Sequence, residues 1–264
     1  MQKLLKVGII DINTNHPSYS SLEKTLSVLR NAKKFNLDII VGPEWGLMNN
    51  NLIEEKPYSY KELDSLLNSL REITSQTKTL VLPGSAVIYT KNMKMYNFLP
   101  VLYNGKIIFS TIKSNDGGTS FFNTGQYELI GRDYSINKKF QWDNLEIGIE
   151  ICADSGSLYR EEKRNLDLQV LVSSGLRITN LAVKKEGYLV CSDGYPHGKK
   201  TYVLKTNKDY DPDSNTDLSD FRDLFKKKEL DHKLTKEYKD KMPFEFISNT
   251  RHKNLNVYQI EMDF

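Results

Sequence analysis

Two cysteines in 264 residues, Cys152 and Cys191, are too few for a disulfide framework. A reducing, cytoplasmic compartment is therefore expected, with secretion by a route that needs no signal peptide left open. No run approaches the ~18 apolar residues of a membrane span, so no membrane partner is expected. The opening Met1-Gln2-Lys3-Leu4-Leu5-Lys6-Val7 runs straight into strand-like sequence. It lacks the long apolar region and small-residue cleavage site of an export signal. An excess of one charge is missing too: 37 Lys and Arg against 34 Asp and Glu leave +3. The signs are interspersed, which removes the case for nucleic acid. The longest basic run, Lys226-Lys227-Lys228, is followed by Glu229 and Asp231 and reads as a solvated helix face. There is no internal repeat and no low-complexity linker, so residues 1–264 are read as one domain.

What is present is enough apolar sequence, 39%, for a substantial core. Strand-like and helix-like segments alternate along the chain. Lys6 to Asp11 is a short apolar strand. Leu22, Leu26, Leu29, Ala32 and Phe35 recur at helical spacing and predict a helix over about 18–36. Leu37 to Val41 is a second buried strand, and Leu63, Leu66, Leu67, Leu70 and Ile73 predict a helix over 60–77. Strands follow around 79–89 and 96–113, with Asn104-Gly105 marking a hairpin. Residues 114–144 read as loop-rich. Leu145, Ile147, Ile149 and Ile151 alternate at period two and form a buried strand that stops at Cys152. A helix is predicted from Leu158 to Leu166, then strands over 168–174 and 187–194. Residues 207–253 change character, and Leu218, Phe221, Leu224 and Phe225 hint at a helix there. Asn254 to Phe264 closes the chain as a strand. This pattern argues an α/β protein of stacked layers.

Three residues stand out by where they fall. Glu44, Lys113 and Cys152 each terminate a predicted strand. In layered α/β proteins, chemistry usually gathers where strands end. A thiol can act as nucleophile, a carboxylate can take and return protons, and an ammonium can stabilise an oxyanion. A nearby helix N-terminus would favour the thiolate. Each residue alone is weak evidence: a strand-end Glu or Lys is more often a surface group, and a strand-end Cys more often a core residue.

The order of these features resembles the nitrilase, or carbon-nitrogen hydrolase, superfamily. Asp38-Ile39-Ile40-Val41-Gly42-Pro43-Glu44 is similar to its strand ending in Pro-Glu. Tyr96-Asn97, then Tyr103-Asn104-Gly105-Lys106 and Lys113, resemble the hairpin that delivers its lysine. Gly148-Ile149-Glu150-Ile151-Cys152-Ala153-Asp154 resembles its nucleophile elbow. The resemblance runs from residue 5 to about 194 and takes in the last strand. It implies a four-layer αββα sandwich and a catalytic set of Glu44, Lys113 and Cys152, with Lys113 and the backbone of Ala153 holding the oxyanion. It implies no metal and no organic cofactor. Members that cleave nitriles typically carry Cys-Trp-Glu, so Cys152-Ala153-Asp154 points to amide, ω-amide or carbamoyl substrates of small size.

Candidates for substrate contact are Trp45, Asp116, Tyr159 and Ser174, with plain packing at least as strong a reading for Trp45 and Tyr159. Asp116 stands in for a second family glutamate, whose matching position falls near Gly118. Ser155-Gly156-Ser157-Leu158-Tyr159 lacks the Arg, Pro and Glu that usually follow the elbow. That segment also serves the family's dimer contact, so a homodimer is left open. Beyond Gly194 the family's next strand is missing from the sequence pattern, and 195–253 is read as divergent. Two other functions stay open on the sequence: a catalytically idle protein of this fold used for binding, and an amidase or acyltransferase acting on a protein side chain.

Overall fold

The structure, a computed structural model of the chain, describes residues 2–14, 21–48, 57–89, 94–114, 128–129, 137–161, 165–174, 180–194, 201–211 and 244–263. In chain order the elements are β1 (Gln2–Ile10), α1 (Ser21–Ala32), β2 (Ile39–Val41), α2 (Tyr60–Thr74), β3 (Leu80–Leu82), β4 (Ala86–Tyr89) and β5 (Lys94–Tyr103). Then come β6 (Lys106–Ile112), β7 (Glu128–Leu129), β8 (Lys139–Trp142), β9 (Leu145–Ile151), α3 (Ser157–Glu161) and β10 (Leu166–Ser173). The chain closes with β11 (Val183–Asp193), β12 (Tyr202–Thr206), β13 (Phe244–Phe246), β14 (Asn249–His252) and β15 (Leu255–Asp263). Among the described residues no helix is long and apolar enough to cross a membrane.

Two mixed sheets result. The first runs β14-β15-β1-β2-β3-β5-β4, with β6 and β7 also paired to β5. The second runs β13-β12-β11-β10-β9-β8. The period-two sequences put one apolar row of each sheet against the other. Leu5, Val7, Ile9, Ile39, Val41, Leu80 and Leu82 meet Leu145, Ile147, Ile149, Ile151, Val170, Val172 and Val190 in one buried cluster. On the far face of the first sheet, Leu26 and Leu29 of α1 and Leu66, Leu67 and Leu70 of α2 cover Ile10, Ile40 and Val81. α2 begins with a capping box in which Ser59 accepts from the Glu62 N–H and Glu62 accepts from the Ser59 N–H. On the far face of the second sheet, Leu158 of α3 packs with Leu166, Leu171, Leu189 and Leu204. The order is therefore helices, sheet, sheet, helix: the αββα sandwich expected from the sequence.

Several boundaries differ from the sequence reading. The first helix gives way to a 3-10 turn over Lys33–Phe35, closed by Asn36 in the left-handed region. The helix predicted to run from Leu158 to Leu166 is the five-residue α3, and Leu166 already belongs to β10. Pairing explains this: Leu166 lies opposite Val183, with a register shift before Leu168. β11 starts four residues before the predicted strand. A strand does follow Gly194, contrary to the sequence reading: β12 pairs antiparallel with β11, Cys191 opposite Tyr202. Val203 fills the inter-sheet core and Leu204 the outer one, which a five-residue strand can do while showing little alternation. The helical hint at Leu218, Phe221, Leu224 and Phe225 lies outside the described residues.

The chain's two halves close on each other at the strand ends. Parallel pairing aligns β1, β2 and β3 in one sheet and β9, β10 and β11 in the other. The loops after β2 and β10 meet where the Glu44 N–H donates to Ser173 O at 3.3 Å. The Gly194 N–H, after β11, donates to the same carbonyl at 3.0 Å.

Candidate active site

Glu44 reaches its place because two loop backbones are pressed together. A Cβ on Gly42 would sit 2.3 Å from Pro83 O, and one on Gly84 (φ +103°) would sit 2.3 Å from Pro43 O. Only glycine permits that approach. Gly42→Ala is therefore expected to destabilise the protein by roughly 1–3 kcal/mol and to displace the loop bearing Glu44. Denaturant midpoints of the variant and the parent check this, and an unchanged midpoint would remove the argument. Beyond Glu44, Trp45 adopts φ +65°, and its N–H donates to Ser85 Oγ at 3.2 Å.

Lys113 follows β6 directly. Its backbone N–H donates to Asn97 O at 2.9 Å, continuing the pairing of β5 with β6 by one step. Its side chain is 2% exposed and that of Glu44 1%, so both charges are withdrawn from water. They pair at 2.9 Å between Nζ and Oε1, and Asn97 Nδ2 donates to the same oxygen at 2.8 Å. A buried pair of this kind persists only when its remaining hydrogen-bonding capacity is used.

Cys152 ends β9 and begins a single 3-10 turn, Cys152–Asp154. The chain turns there through φ +48° at the cysteine itself. That conformation costs a non-glycine residue about 1–2 kcal/mol, and strain of this kind collects at functional sites. Asp154 holds the turn: its carboxylate accepts from Ser114 N–H at 3.0 and 2.9 Å and from Ser114 Oγ at 2.7 Å. Ser114 follows Lys113, so the elbow of the thiol is tied to the strand end that carries the ammonium.

The thiol hydrogen-bonds the Glu44 carboxylate and faces Lys113, and the backbone N–H of Ser174 also reaches the sulfur. Burial, then the Glu44 charge, push the Cys152 thiol up to about 12 against the pull of Lys113. Burial also raises Glu44, opposed by Lys113, by the thiol and by Asn97. Burial works against the Lys113 charge, but Glu44, Cys152 and Asp154 outweigh it and its pKa is raised. The sequence expectation of a helix N-terminus favouring the thiolate is thus reversed. α3 is only five residues long, and desolvation beside a carboxylate dominates. The resting sulfur is a thiol donating to Glu44, an arrangement in which the carboxylate can accept its proton.

The other sequence candidates lie as follows. Ala153, half-buried, is the middle residue of the 3-10 turn after the sulfur. Ser174 stands at the end of β10, its Oγ 3.5 Å from Thr14 Oγ1. Trp45 is buried in the apolar cluster beneath α1 and α2. Tyr159 packs against the cluster on the outer face of the second sheet. Asp116 lies outside the described residues.

Sequence reasoning missed two things. Asn97 was read only as part of a motif, though a polar residue within the apolar strand Met95–Leu102 was a signal. It is fully buried, and among the described residues its Oδ1 has no hydrogen-bond partner. The second omission is a buried polar cluster behind the elbow, made of Lys138, Glu150, Ser157 and Gln169, all at most 5% exposed.

No family model matches this chain, and no characterised protein matches it by sequence. Solved structures do match. A glutamine-dependent NAD+ synthetase from Acinetobacter baumannii superposes with a TM-score of 0.57 at 18% identity. The match takes in 78% of this chain but 42% of the synthetase, so this chain spans about two fifths of that protein. An amidase from Nesterenkonia sp. AN1, seen with acrylamide added at its active-site cysteine, has a TM-score of 0.57 at 10% identity, covering 81% of this chain and 87% of its own. Saccharomyces cerevisiae Nit3, a member of branch 10 of the nitrilase superfamily, has a TM-score of 0.56 at 14% identity, covering 78% and 86%. The fold is that of the nitrilase superfamily.

Proposed function

We propose that this chain is a cysteine-dependent hydrolase of non-peptide carbon–nitrogen bonds, acting on a small amide, ω-amide or carbamoyl compound through a thioester on Cys152. One observation carries the reading: a thiol, a carboxylate and an ammonium from three separate strand ends meet in one buried cluster, with the 2.9 Å Glu44–Lys113 pair at its centre. Burial of two charges and a strained cysteine is hard to account for as packing alone. The likeness to an amidase with a modified active-site cysteine points the same way.

In this reading Sγ attacks the carbonyl carbon while its proton passes to Glu44. The oxyanion forms beside Lys113 Nζ and the Ala153 N–H. A preorganised donor of that kind is worth about 3 kcal/mol. Glu44 then gives its proton to the departing amine, leaving a thioester on Cys152. Glu44 takes a proton from water, whose oxygen attacks the thioester carbon; the sulfur leaves, recovering that proton from Glu44, and the acid is released. The elbow sequence Cys152-Ala153-Asp154 favours amides over nitriles, and the backbone N–H of Ser174 at the sulfur supports its reading as a substrate contact. The proposed domain is residues 1–264, the proposed partner a small-molecule amide.

The test is a panel of small amides, ω-amides, carbamoyl compounds and glutamine. Ammonia release and the mass of the Cys152 peptide would both be followed. The expected result is an acyl adduct on Cys152 with at least one compound, together with release of its amine. Turnover that survives loss of the Cys152 thiol would rule the mechanism out.

A further inference from the structure

Behind the elbow, on the outer face of the second sheet, Glu150 is fully buried two residues before the sulfur. Its Oε1 accepts from the Leu158 N–H at 3.0 Å and from Ser157 Oγ at 3.2 Å. Its Oε2 accepts from Gln169 Nε2 at 2.7 Å. Gln169 cannot turn its amide over, because its Oε1 accepts the Ala182 N–H at 2.8 Å. Among the described residues, every group hydrogen-bonded to the Glu150 carboxylate is thus a donor.

Lys138 fixes the remaining directions. Its Nζ donates to Ser157 Oγ at 2.6 Å and to Ser114 Oγ at 2.7 Å, and an ammonium has no acceptor. Each hydroxyl therefore turns its proton away from Lys138, Ser157 toward Glu150 and Ser114 toward Asp154. The chain Glu150–Ser157–Lys138–Ser114–Asp154, buttressed by Gln169, starts two residues before the sulfur. It ends two residues after it, through a serine that follows Lys113. We infer that Glu150 is a positioning residue. Its ionised carboxylate, acting through this chain, holds the Cys152 elbow in register with the Lys113 strand end. The inference rests on the reading of Cys152 as nucleophile.

Protonation has one place to go. Among the donors around the carboxylate, only Ser157 Oγ has a lone pair to receive a Glu150 proton, and taking it reverses the Ser157 hydroxyl. Among the described residues, the charged groups facing Glu150 are Lys138, from the segment before β8, and Asp154, from the turn after β9. β10 offers the neutral Gln169, and α3 the Ser157 hydroxyl and Leu158 N–H. Burial sets the titration of Glu150 at about 7, so the chain should loosen as pH falls through that value.

The test compares wild type, Glu150→Gln and the exchange pair Glu150→Gln/Gln169→Glu. The single variant sets two amide NH2 groups against each other. The pair restores every hydrogen bond, with the carboxylate moved to β10. The first readout is the rate of Cys152 alkylation by iodoacetamide against pH, with Cys191 as the internal reference. Thermal midpoints are measured alongside. Glu150→Gln should slow alkylation of folded protein about tenfold or more, as misplacement by a fraction of an ångström does. The pair should come within about threefold of wild type, and the wild-type acid limb near 7 should move, leaving only the limb set by Glu44. The inference is overturned if Glu150→Gln alkylates at the wild-type rate and pH profile, or lowers the midpoint alone. It is also overturned if the pair folds without recovering the rate, which holds even where the single variant does not fold. Wild-type Cys152 labelling no faster than Cys191 would instead remove the nucleophile reading itself.

Discussion

Replacing Cys152 by alanine or by glycine is expected to reduce turnover by roughly 10⁴-fold or more, while the two variants rank in an unusual order of stability. Under the proposed mechanism, loss of activity follows from loss of the atom that would form the thioester. The stability order follows from the backbone. At an ordinary position glycine is the less stable choice, because it loses more conformational freedom on folding. At φ +48° the alanine keeps a Cβ in a region that costs about 1–2 kcal/mol, and glycine does not. Neither change strands a buried charge, because Glu44 keeps its bonds from Lys113 and Asn97. Cys152→Gly should therefore be at least as stable as Cys152→Ala, by about 1 kcal/mol. Denaturant midpoints of the two proteins decide it, and a clearly more stable alanine variant would show that the elbow is unstrained.

The same elbow shows how far the sequence reveals the site. The alternation Leu145, Ile147, Ile149, Ile151 marks the inward face of β9 and so marks where it stops. The same logic located Glu44 and Lys113 at the ends of β2 and β6. Strand ends are legible because burial on one face imposes period two and its interruption is local. Glu150 occupies the alternate face of the same strand, where an acid reads as solvent-facing. It is buried because α3 and Gln169 cover it, and Lys138 completes the cluster from a different segment. No local pattern records such tertiary covering. The reach of α3 failed for a related reason: Leu158 and Leu166 fit helical spacing, but Leu166 is taken by pairing with β11. The thiol's environment was misread because a helix start can be guessed from small residues, whereas the depth of burial beside Glu44 cannot.

Lys113→Met is expected to lower turnover at least ~100-fold and to destabilise the protein by about 3–5 kcal/mol near neutral pH. Methionine has nearly the right length and no charge, so the loss is electrostatic. It leaves the Glu44 carboxylate 1% exposed with no counter-charge on it, although Asn97 and the thiol still donate. The pH dependence tests this cause. Burial already raises Glu44 above its ordinary 4.5, and removing Lys113 deletes the largest opposing influence, so the folded-state pKa rises further. A carboxyl with a raised folded pKa stabilises the fold below its unfolded value, and that contribution is lost as pH rises through the folded value. The deficit of Lys113→Met against wild type should thus be smallest below pH ~4.5 and should grow toward neutrality. Adding Glu44→Gln removes the stranded charge. The double variant should then recover stability near pH 7 relative to Lys113→Met while staying inactive, since the proposed mechanism makes Glu44 the proton acceptor for Cys152. Urea midpoints of the four proteins at two pH values complete the cycle. A pH-independent deficit, or a double variant no more stable than the single one, would mean that Lys113 supports the fold by packing and that its pairing with Glu44 contributes nothing.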